Sequence, residues 1–158
     1  MKKPPSKPHS DQTLNLALNY ALRFLTIRIR SIKEIKDYLI KKGFTDKTID
    51  EAINRLLELK FLNDEEFGTQ WIESRQKHKG KSKFVLKTEL KLKGLSDELI
   101  QKLLEQTQSD LETAKVFFER KKGKLTHLSK EEFEKKITGI LQRKGFSWNI
   151  ISKLLKED

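Results

Sequence analysis

The sequence contains no cysteine, only three prolines and seven glycines, and no long apolar run. The missing cysteine excludes disulfides, cysteine-ligated zinc, iron–sulfur clusters and thiol catalysis. The shortage of turn-forming residues argues against a many-turned β-sandwich. No apolar segment approaches the roughly 20 residues of a membrane-spanning helix, and the basic start of the chain lacks the apolar stretch of a signal peptide. We therefore expect a cytoplasmic protein.

Positive charge is what the sequence has in excess. The chain has 158 residues, and its 34 lysines and arginines outnumber 23 acidic residues, which gives a formal net charge of +11. Hydrophobic residues make up 35% and charged residues 36%, so the core is lean and fits several small helical clusters better than one thick globule. The cationic excess points to a polyanionic or acidic partner, such as nucleic acid or a complex that contains it.

A repeat with a period of 51 residues organises the chain. A Lys-Gly pair followed by Phe or Leu occurs at Gly43, Gly94 and Gly145, always with the same spacing. The surrounding apolar residues fall into the same columns: Ile35, Leu86 and Ile137; Leu39, Leu90 and Leu141; Ile49, Ile100 and Ile151; Ile53, Leu104 and Leu155; and, further upstream, Leu16, Phe67 and Phe118. Such internal repetition is the mark of a modular architecture.

Each repeat is predicted to contain three helices. Apolar residues four apart before each glycine indicate one helix, the glycine suits its left-handed end, and Thr45, Ser96 or Ser147 can cap the next helix. Three Ser-x-x-Glu capping boxes, which begin at Ser31, Ser109 and Ser129, mark further helix starts. The predicted helices lie near 13–28, 32–42, 46–60, 64–78, 82–93, 97–106, 110–122, 130–144 and 148–157.

The predicted fold is an all-α, elongated array of three tandem three-helix repeats, with about nine helices in helix-turn-helix-like units. Residues 1–11, which hold all three prolines, are expected to form a disordered basic arm. The three repeats then occupy 12–61, 62–108 and 109–158. An array of this kind offers long side faces rather than the concave pocket of an enzyme.

Motifs that would indicate catalysis are incomplete. Gly80-Lys81-Ser82 matches the end of a phosphate-binding loop, but Arg75 stands where that loop needs a glycine. The run Asp64-Glu65-Glu66 falls in the first turn of a predicted helix, where carboxylates complement the helix dipole. No two of the three histidines lie three or four residues apart, so they indicate neither a metal site nor a catalytic base. We therefore predict no catalytic residue, no metal, no cofactor and no enzymatic activity.

Cations recur at one phase of every repeat, between its first and second helices. The predicted binding residues are Arg23, Arg28, Arg30, Arg75, Lys77, Lys79, Lys81, Lys83, Lys87, Lys121, Lys122 and Lys124. Regular stacking of the repeats would align them in a stripe that contacts phosphates or acidic side chains without reading sequence. A merely solvated face is the alternative for such a charge run. Trp148, which stands where the other repeats have Asp46 and Asp97, is a lesser candidate, for base stacking.

These motifs, in this order, resemble the RecX family of recombination regulators. The stretches that carry the resemblance are Ala21–Leu25, Arg28–Ser31, Leu39–Phe44, Phe61–Phe67, Ser74–Arg75, Gly80–Ser82, Glu89–Leu95, Arg143–Ser147 and Ile150–Ile151. Together they extend from about residue 14 to the end. Asn63 stands where the family usually has a second aspartate, and lysine is frequent where the family has arginine, which weakens the case for bidentate contacts.

The resemblance implies a partner, the RecA recombinase assembled as a filament on single-stranded DNA. A family member would lie in the filament groove or at its growing end and inhibit ATP hydrolysis, strand exchange and coprotease activity, with roles in DNA repair and the SOS response. It would act as a monomer that binds single-stranded DNA weakly by itself. The alternative is a stand-alone, sequence-nonspecific DNA-binding protein built of helix-turn-helix-like modules.

Overall fold

The computed structural model describes residues 8–157, which form helices and turns and no strand. The α-helices of this range are α1 Pro8–Leu25, α2 Ile32–Lys41, α3 Asp46–Glu58, α4 Asp64–Ser74, α5 Lys83–Leu92, α6 Asp97–Glu105, α7 Asp110–Lys122, α8 Lys130–Arg143 and α9 Trp148–Glu157. A π-helical turn, Arg75–Lys79, extends α4. None of these helices is long and apolar enough to cross a membrane. The predicted all-α fold of three three-helix repeats is confirmed.

Three helix boundaries differ from those predicted by more than two residues, one of them the end of α1 at Leu25 instead of near residue 28. Helix α1 begins at Pro8, so residues 8–11 of the predicted disordered arm are helical, whereas residues 1–7 lie outside the described residues. The helix predicted over 64–78 is α-helical only to Ser74 and continues as the wider π-turn. That turn ends at Gly80, whose left-handed φ of 57° stops the helix.

Five of the predicted helix caps are present. The capping boxes that begin at Ser31, Ser109 and Ser129 are all present, with both reciprocal hydrogen bonds formed. The side chains of Thr45 and Ser96 accept a backbone N–H of the following turn, which caps α3 and α6. Since each cap satisfies a donor that the helix itself leaves unpaired, these residues fix where the helices begin.

Three of the repeated apolar columns form the core. Nine residues of these columns are completely buried: Ile35, Leu86, Ile137, Leu39, Leu90, Leu141, Ile49, Ile100 and Ile151. The prediction that the upstream column is buried is wrong at Leu16, whose side chain is 51% exposed. Ala17 and Ala21 of the same helix lie in the core instead. The connections between the first and second helices differ in length from repeat to repeat, so the 51-residue register does not extend back into α1.

The chain folds into two compact units. Among the described residues, unit 1 comprises residues 8–67 together with Lys93–Leu95, and unit 2 comprises Gly68–Leu92 and residues 96–157. The core of unit 1 is formed by α1, α2 and α3 and includes Ile35 and Leu39. In unit 2, α7, α8 and α9 enclose an aromatic cluster in which the rings of Phe118 and Phe133 meet edge to face at 5.4 Å.

Within unit 1, the N-terminus of α2 contacts two later segments of the chain. Oδ1 of Asp64 accepts the backbone N–H of Ile32 at 2.8 Å, a donor that has no partner inside α2. Burial raises the pKa of Asp64, and this hydrogen bond opposes the shift. Gly94 lies against Lys33, so close that a Cβ on the glycine would be 2.5 Å from the lysine Cβ. Asp64 therefore serves the fold rather than a metal site.

Within unit 2, the N-terminus of α5 makes the same kinds of contact. Oδ1 of Asp110 accepts the backbone N–H of Lys83, also at 2.8 Å. The N–H of Ser82 donates to the carbonyl of Lys144 at 3.0 Å. A Cβ on Gly145 would lie 2.4 Å from Oγ of Ser82. The second helix of a repeat is thus held at its start by residues of the repeat that follows.

Substituting the repeated glycines should separate backbone strain from this close contact. Gly43 and Gly94 both belong to unit 1 and have nearly the same φ, 87° and 85°, but a Cβ on Gly43 would meet nothing within 4 Å. We expect Gly43→Ala to lower the free energy of unfolding by about 1 kcal/mol, the cost of a left-handed alanine. Gly94→Ala should cost more, because its methyl group overlaps Lys33. Urea unfolding followed by circular dichroism measures both, and equal costs would contradict the contact.

Candidate cationic interface

Cations from three segments of unit 2 meet around Lys144, which follows α8. Its Nζ donates to the carbonyl of Lys79 in the π-turn and lies 4.2 Å from the centroid of the Phe117 ring. Burial lowers the pKa of Lys144, and the positive charges of Lys121, Lys81, Lys79 and Arg120 lower it further. We name Lys79, Lys81, Arg120, Lys121 and Lys144 the cationic cluster.

The path of the π-turn explains how these residues meet. Gly80 packs directly on α7, where a Cβ would lie 2.7 Å from Cδ2 of Phe117. Arg120 of α7 donates from Nη2 to the carbonyl of Lys77 at 3.1 Å. Because only glycine permits both the left-handed backbone and this approach, the lysines on either side of Gly80 are brought to the end of α7.

One carboxylate, that of Glu89, pairs with a member of the cluster and with a neighbouring cation. Oε2 of Glu89 accepts the indole N–H of Trp71 at 2.9 Å and lies 3.4 Å from Nε of Arg75, while Oε1 pairs with Lys81. The guanidinium of Arg75 stacks over Trp71, 4.2 Å from the ring centroid. Burial acts to raise the pKa of Glu89, but hydrogen bonds from Lys81 and Trp71 and the nearby positive charges outweigh it, so the pKa is lowered.

Two further predicted binding residues lie on α5, and one of them is held within the fold whereas the other is exposed. The side chain of Lys83 donates to the carbonyl of Leu104 at 2.6 Å and is half-buried, so it ties α5 to α6. Lys87 is exposed on the same helix. The other exposed cations that the sequence predicted in unit 2 are Lys77, Lys79, Lys122 and Lys124.

In unit 1, two of the predicted cations, Arg28 and Arg30, contact other side chains of the fold, and the third, Arg23, does not do so in the same way. Arg28 forms a two-point contact with Glu34, at 2.7 and 3.2 Å. Arg30 lies 3.8 Å over the ring of Phe24, whose plane stacks on Tyr38 at 4.2 Å. Burial and the charge of Arg28 lower the pKa of Arg30, against the opposing effect of Glu34. Arg23, in the last turn of α1, is exposed.

Sequence reasoning missed two members of the cluster, Arg120 and Lys144. In the sequence, Lys144 stands out only as the lysine before the third repeated glycine. That lysine is nevertheless a signal: its counterpart Lys93 also reaches an earlier repeat, with Nζ 2.8 Å from Oε1 of Glu34. The lysine before each later glycine therefore marks a contact between repeats.

The other motifs that the sequence analysis weighed for catalysis can now be located in the structure. No group of three or more histidines and carboxylates that could hold a metal occurs among residues 8–157. Gly80-Lys81-Ser82 follows a π-turn rather than a buried strand, and the hydroxyl of Ser82 accepts the N–H of Val85 at 3.3 Å, as a helix cap. Trp148 is 60% exposed at the start of α9.

These features define the class of protein: an all-helical chain of three three-helix domains with a cationic surface. Three domain models of one family match consecutive segments, the first three-helix domain of RecX over residues 17–56, the second over 63–104 and the third over 108–155. The matched segments make up most of the chain. The chain belongs to the RecX family.

Individual relatives agree with this assignment. The chain is 40% identical to the regulatory protein RecX of Bacillus pumilus over 139 residues, 87% of this chain and 53% of that protein. It is 33% identical to that of Mycolicibacterium smegmatis, over 83% of this chain and 73% of that protein. The crystal structure of RecX from Lactobacillus salivarius is similar with a TM-score of 0.76 at 26% identity, covering 93% and 97% of the two chains. The chain spans about half the length of the Bacillus relatives it matches.

The ion pairs of Glu34 predict how stability depends on pH. Burial acts to raise the pKa of Glu34, but hydrogen bonds from Arg28, Lys93 and the backbone of Ser31 lower it from 4.5 to about 2. A carboxyl with a lowered pKa stabilises the fold above its unfolded-state pKa, and this contribution is lost as the pH falls through the folded-state value. Glu34→Gln keeps a capping side chain but removes the charge.

We therefore expect the unfolding midpoints of the wild type and Glu34→Gln to differ most above pH 4.5 and to converge near pH 2. Thermal unfolding across this range, followed by circular dichroism, measures the difference. A difference that stays constant with pH would show that Glu34 does not act through its charge.

Proposed function

We propose that this chain regulates the RecA recombinase by binding the filament that RecA forms on single-stranded DNA, without catalysing a reaction of its own. The observation that carries the proposal, beside membership in the RecX family, is the cationic cluster in unit 2. The protein acts in the cytoplasm as a monomer, and its affinity for bare single-stranded DNA is weak. Binding in the filament groove or at the growing end inhibits ATP hydrolysis, strand exchange and coprotease activity.

The cluster suits a polyanionic surface for an electrostatic reason. Burial is the main cause of the lowered pKa of Lys144, and the positive charges of its neighbours lower that pKa further, because the cations of the cluster repel one another. A phosphate or carboxylate placed among them relieves that repulsion, so the attraction for an anion exceeds that of isolated surface lysines. Lysines contact anions as point charges and carry no base readout. Binding is therefore independent of sequence and falls with salt.

The predicted cations then divide into two roles. Those with exposed side chains contact the filament: Arg23, Lys77, Lys79, Lys87, Lys122 and Lys124, together with Lys121 of the cluster. Those paired within the fold hold the surrounding segments in place: Arg28, Arg30, Arg75 and Lys83. Lys81 contributes to both, because it belongs to the cluster and also pairs with Glu89.

Charge reversal at two members of the cluster tests this function. We expect Lys79→Glu with Lys121→Glu to raise the concentration needed for half-inhibition of RecA's DNA-dependent ATP hydrolysis by about tenfold or more. The matched control, Lys135→Glu with Lys136→Glu, makes the same change in net charge at exposed positions of α8 and should inhibit like the wild type. Circular dichroism of both variants verifies that the helices are retained.

A parallel measurement of binding to bare single-stranded DNA separates the two candidate functions. Strong inhibition of RecA with weak binding to bare DNA supports a filament regulator. Tight, salt-sensitive DNA binding without inhibition would instead identify a stand-alone DNA-binding protein. If the two double variants inhibit RecA equally, the cationic cluster does not contact the filament.

A further inference from the structure

A hollow in unit 2 lies between the connection from α7 to α8 and the first turn of α8. Its volume is about 320 Å³, which is room for one large side chain of a ligand and part of its backbone. Two leucines of the connection are half-buried and pack on the aromatic cluster of unit 2. We name this feature the α7–α8 hollow, and it is lined by Lys122, Leu125, Thr126, Leu128, Lys130 and Phe133.

The walls of the hollow are held in place by the fold itself. The N–H of Leu125 donates to a carbonyl of the last turn of α7 at 3.0 Å, and the N–H of Leu128 donates to the carbonyl of Leu125 at 3.1 Å. The capping box of Ser129 fixes the start of α8. The ring of Phe133 packs edge to face on that of Phe118. A hollow formed in advance spares its ligand the cost of ordering these residues.

Positive charge flanks this apolar hollow. Lys122 is the last residue of α7, Lys130 is the first residue of α8, and both are exposed. The chain has no acidic residue between Glu119 and Glu131. Among the described residues, those that line the hollow include no carboxylate. The hollow therefore suits a ligand that carries an apolar group next to a negative charge.

The neighbouring carboxylates of α8 leave this charge available. An oxygen of Glu132 accepts the N–H of Ser129 at 2.9 Å, as part of the helix cap. Glu134 lies 3.9 Å from Nζ of Lys130, whose side chain is 71% exposed. A long, exposed ion pair of this kind contributes little, so Lys130 can pair with a carboxylate of a ligand.

We infer that the α7–α8 hollow binds a short acidic segment of a protein partner. One large apolar side chain of the segment is seated against Leu125 and Leu128, and the carboxylates beside it pair with Lys122 and Lys130. The inference deepens the proposed function and rests on it for the identity of the partner. Since Lys122 is among the cations assigned to the filament, the segment belongs to the protein component of the filament rather than to its DNA.

A peptide fits the hollow better than a single strand of nucleic acid does. Bases bind proteins by stacking on open aromatic faces. Phe133, the aromatic residue of the lining, is only 7% exposed and already packs on Phe118. Leu125 and Leu128 instead offer aliphatic surface, which favours an apolar side chain. Phosphates find a concentration of positive charge at the cationic cluster.

A short peptide tests the inference with the full chain. The probe is a blocked tetrapeptide in which a leucine stands among aspartates, titrated into protein with isotope-labelled leucine methyl groups. We expect the methyl signals of Leu125 and Leu128 to shift until they saturate, while those of Leu39 in the core of unit 1 stay unchanged. Serine in place of the peptide's leucine should weaken binding about tenfold or more, because the apolar side chain is no longer buried.

Charge reversal in the protein isolates the lysine contact. Lys130→Glu should weaken binding of the acidic peptide about fivefold. The helix should be retained, because a carboxylate in the first turn complements the helix dipole. Lys136→Glu makes the same change in net charge at an exposed position of α8 and should bind the peptide like the wild type. Circular dichroism of both variants verifies the helix content.

Three results would overturn the inference: methyl signals of Leu125 and Leu128 that do not move, a serine peptide that binds as tightly as the leucine peptide, or equal binding by Lys130→Glu and Lys136→Glu. Oligo(dT) that shifts the same methyl signals and displaces the peptide would assign the hollow to nucleic acid, and this outcome would overturn the inference as well.

Inhibition of RecA's ATP hydrolysis, measured with the same protein, distinguishes this inference from the function on which it rests. A wild-type chain that inhibits RecA but does not bind the acidic peptide refutes the inference and leaves the proposed function intact. A wild-type chain that binds the peptide at the hollow but does not inhibit RecA refutes the proposed function and leaves the peptide site.

Discussion

The first N–H of α2 and the first N–H of α5 have no partner inside their own helices, and in each case an aspartate at the start of a later helix accepts the hydrogen bond. Asp64 serves Ile32 and Asp110 serves Lys83, both at 2.8 Å. Because leaving a buried donor unpaired costs about 1–3 kcal/mol, the chain must bring each aspartate to its helix. This requirement links consecutive repeats and limits the paths open to the π-turn that carries the cations.

Two carboxylates hold several of the cations within the fold. Glu34 pairs with Arg28 and Lys93, and Glu89 contacts Arg75 and Lys81. Each of these carboxylates therefore contacts two positive charges, and the pair of Glu34 with Lys93 joins residues that are 59 positions apart. The charges that act on Lys144 are instead those of other cations, which concentrates positive potential at one place in unit 2.

Sequence reasoning succeeded where the physical cause is local. The capping boxes and the buried columns that include Ile35 and Leu39 depend on residues three or four apart, so their pattern is visible in the chain. It failed at Leu16, because the column was carried across connections of unequal length. It also counted Arg75 as an available cation, since nothing local indicates that Glu89 lies beside it in the fold.

The sequence by itself determined the nine helices among residues 8–157, most of their boundaries, the 51-residue spacing and the excess of positive charge, because these follow from composition and from contacts within one or two helical turns. Only the tertiary structure decided that Lys144 meets Lys79, 65 residues earlier, and that Lys122 and Lys130 flank the α7–α8 hollow. Both depend on how separate helices pack, and packing brings together side chains whose separation in the chain follows no fixed period.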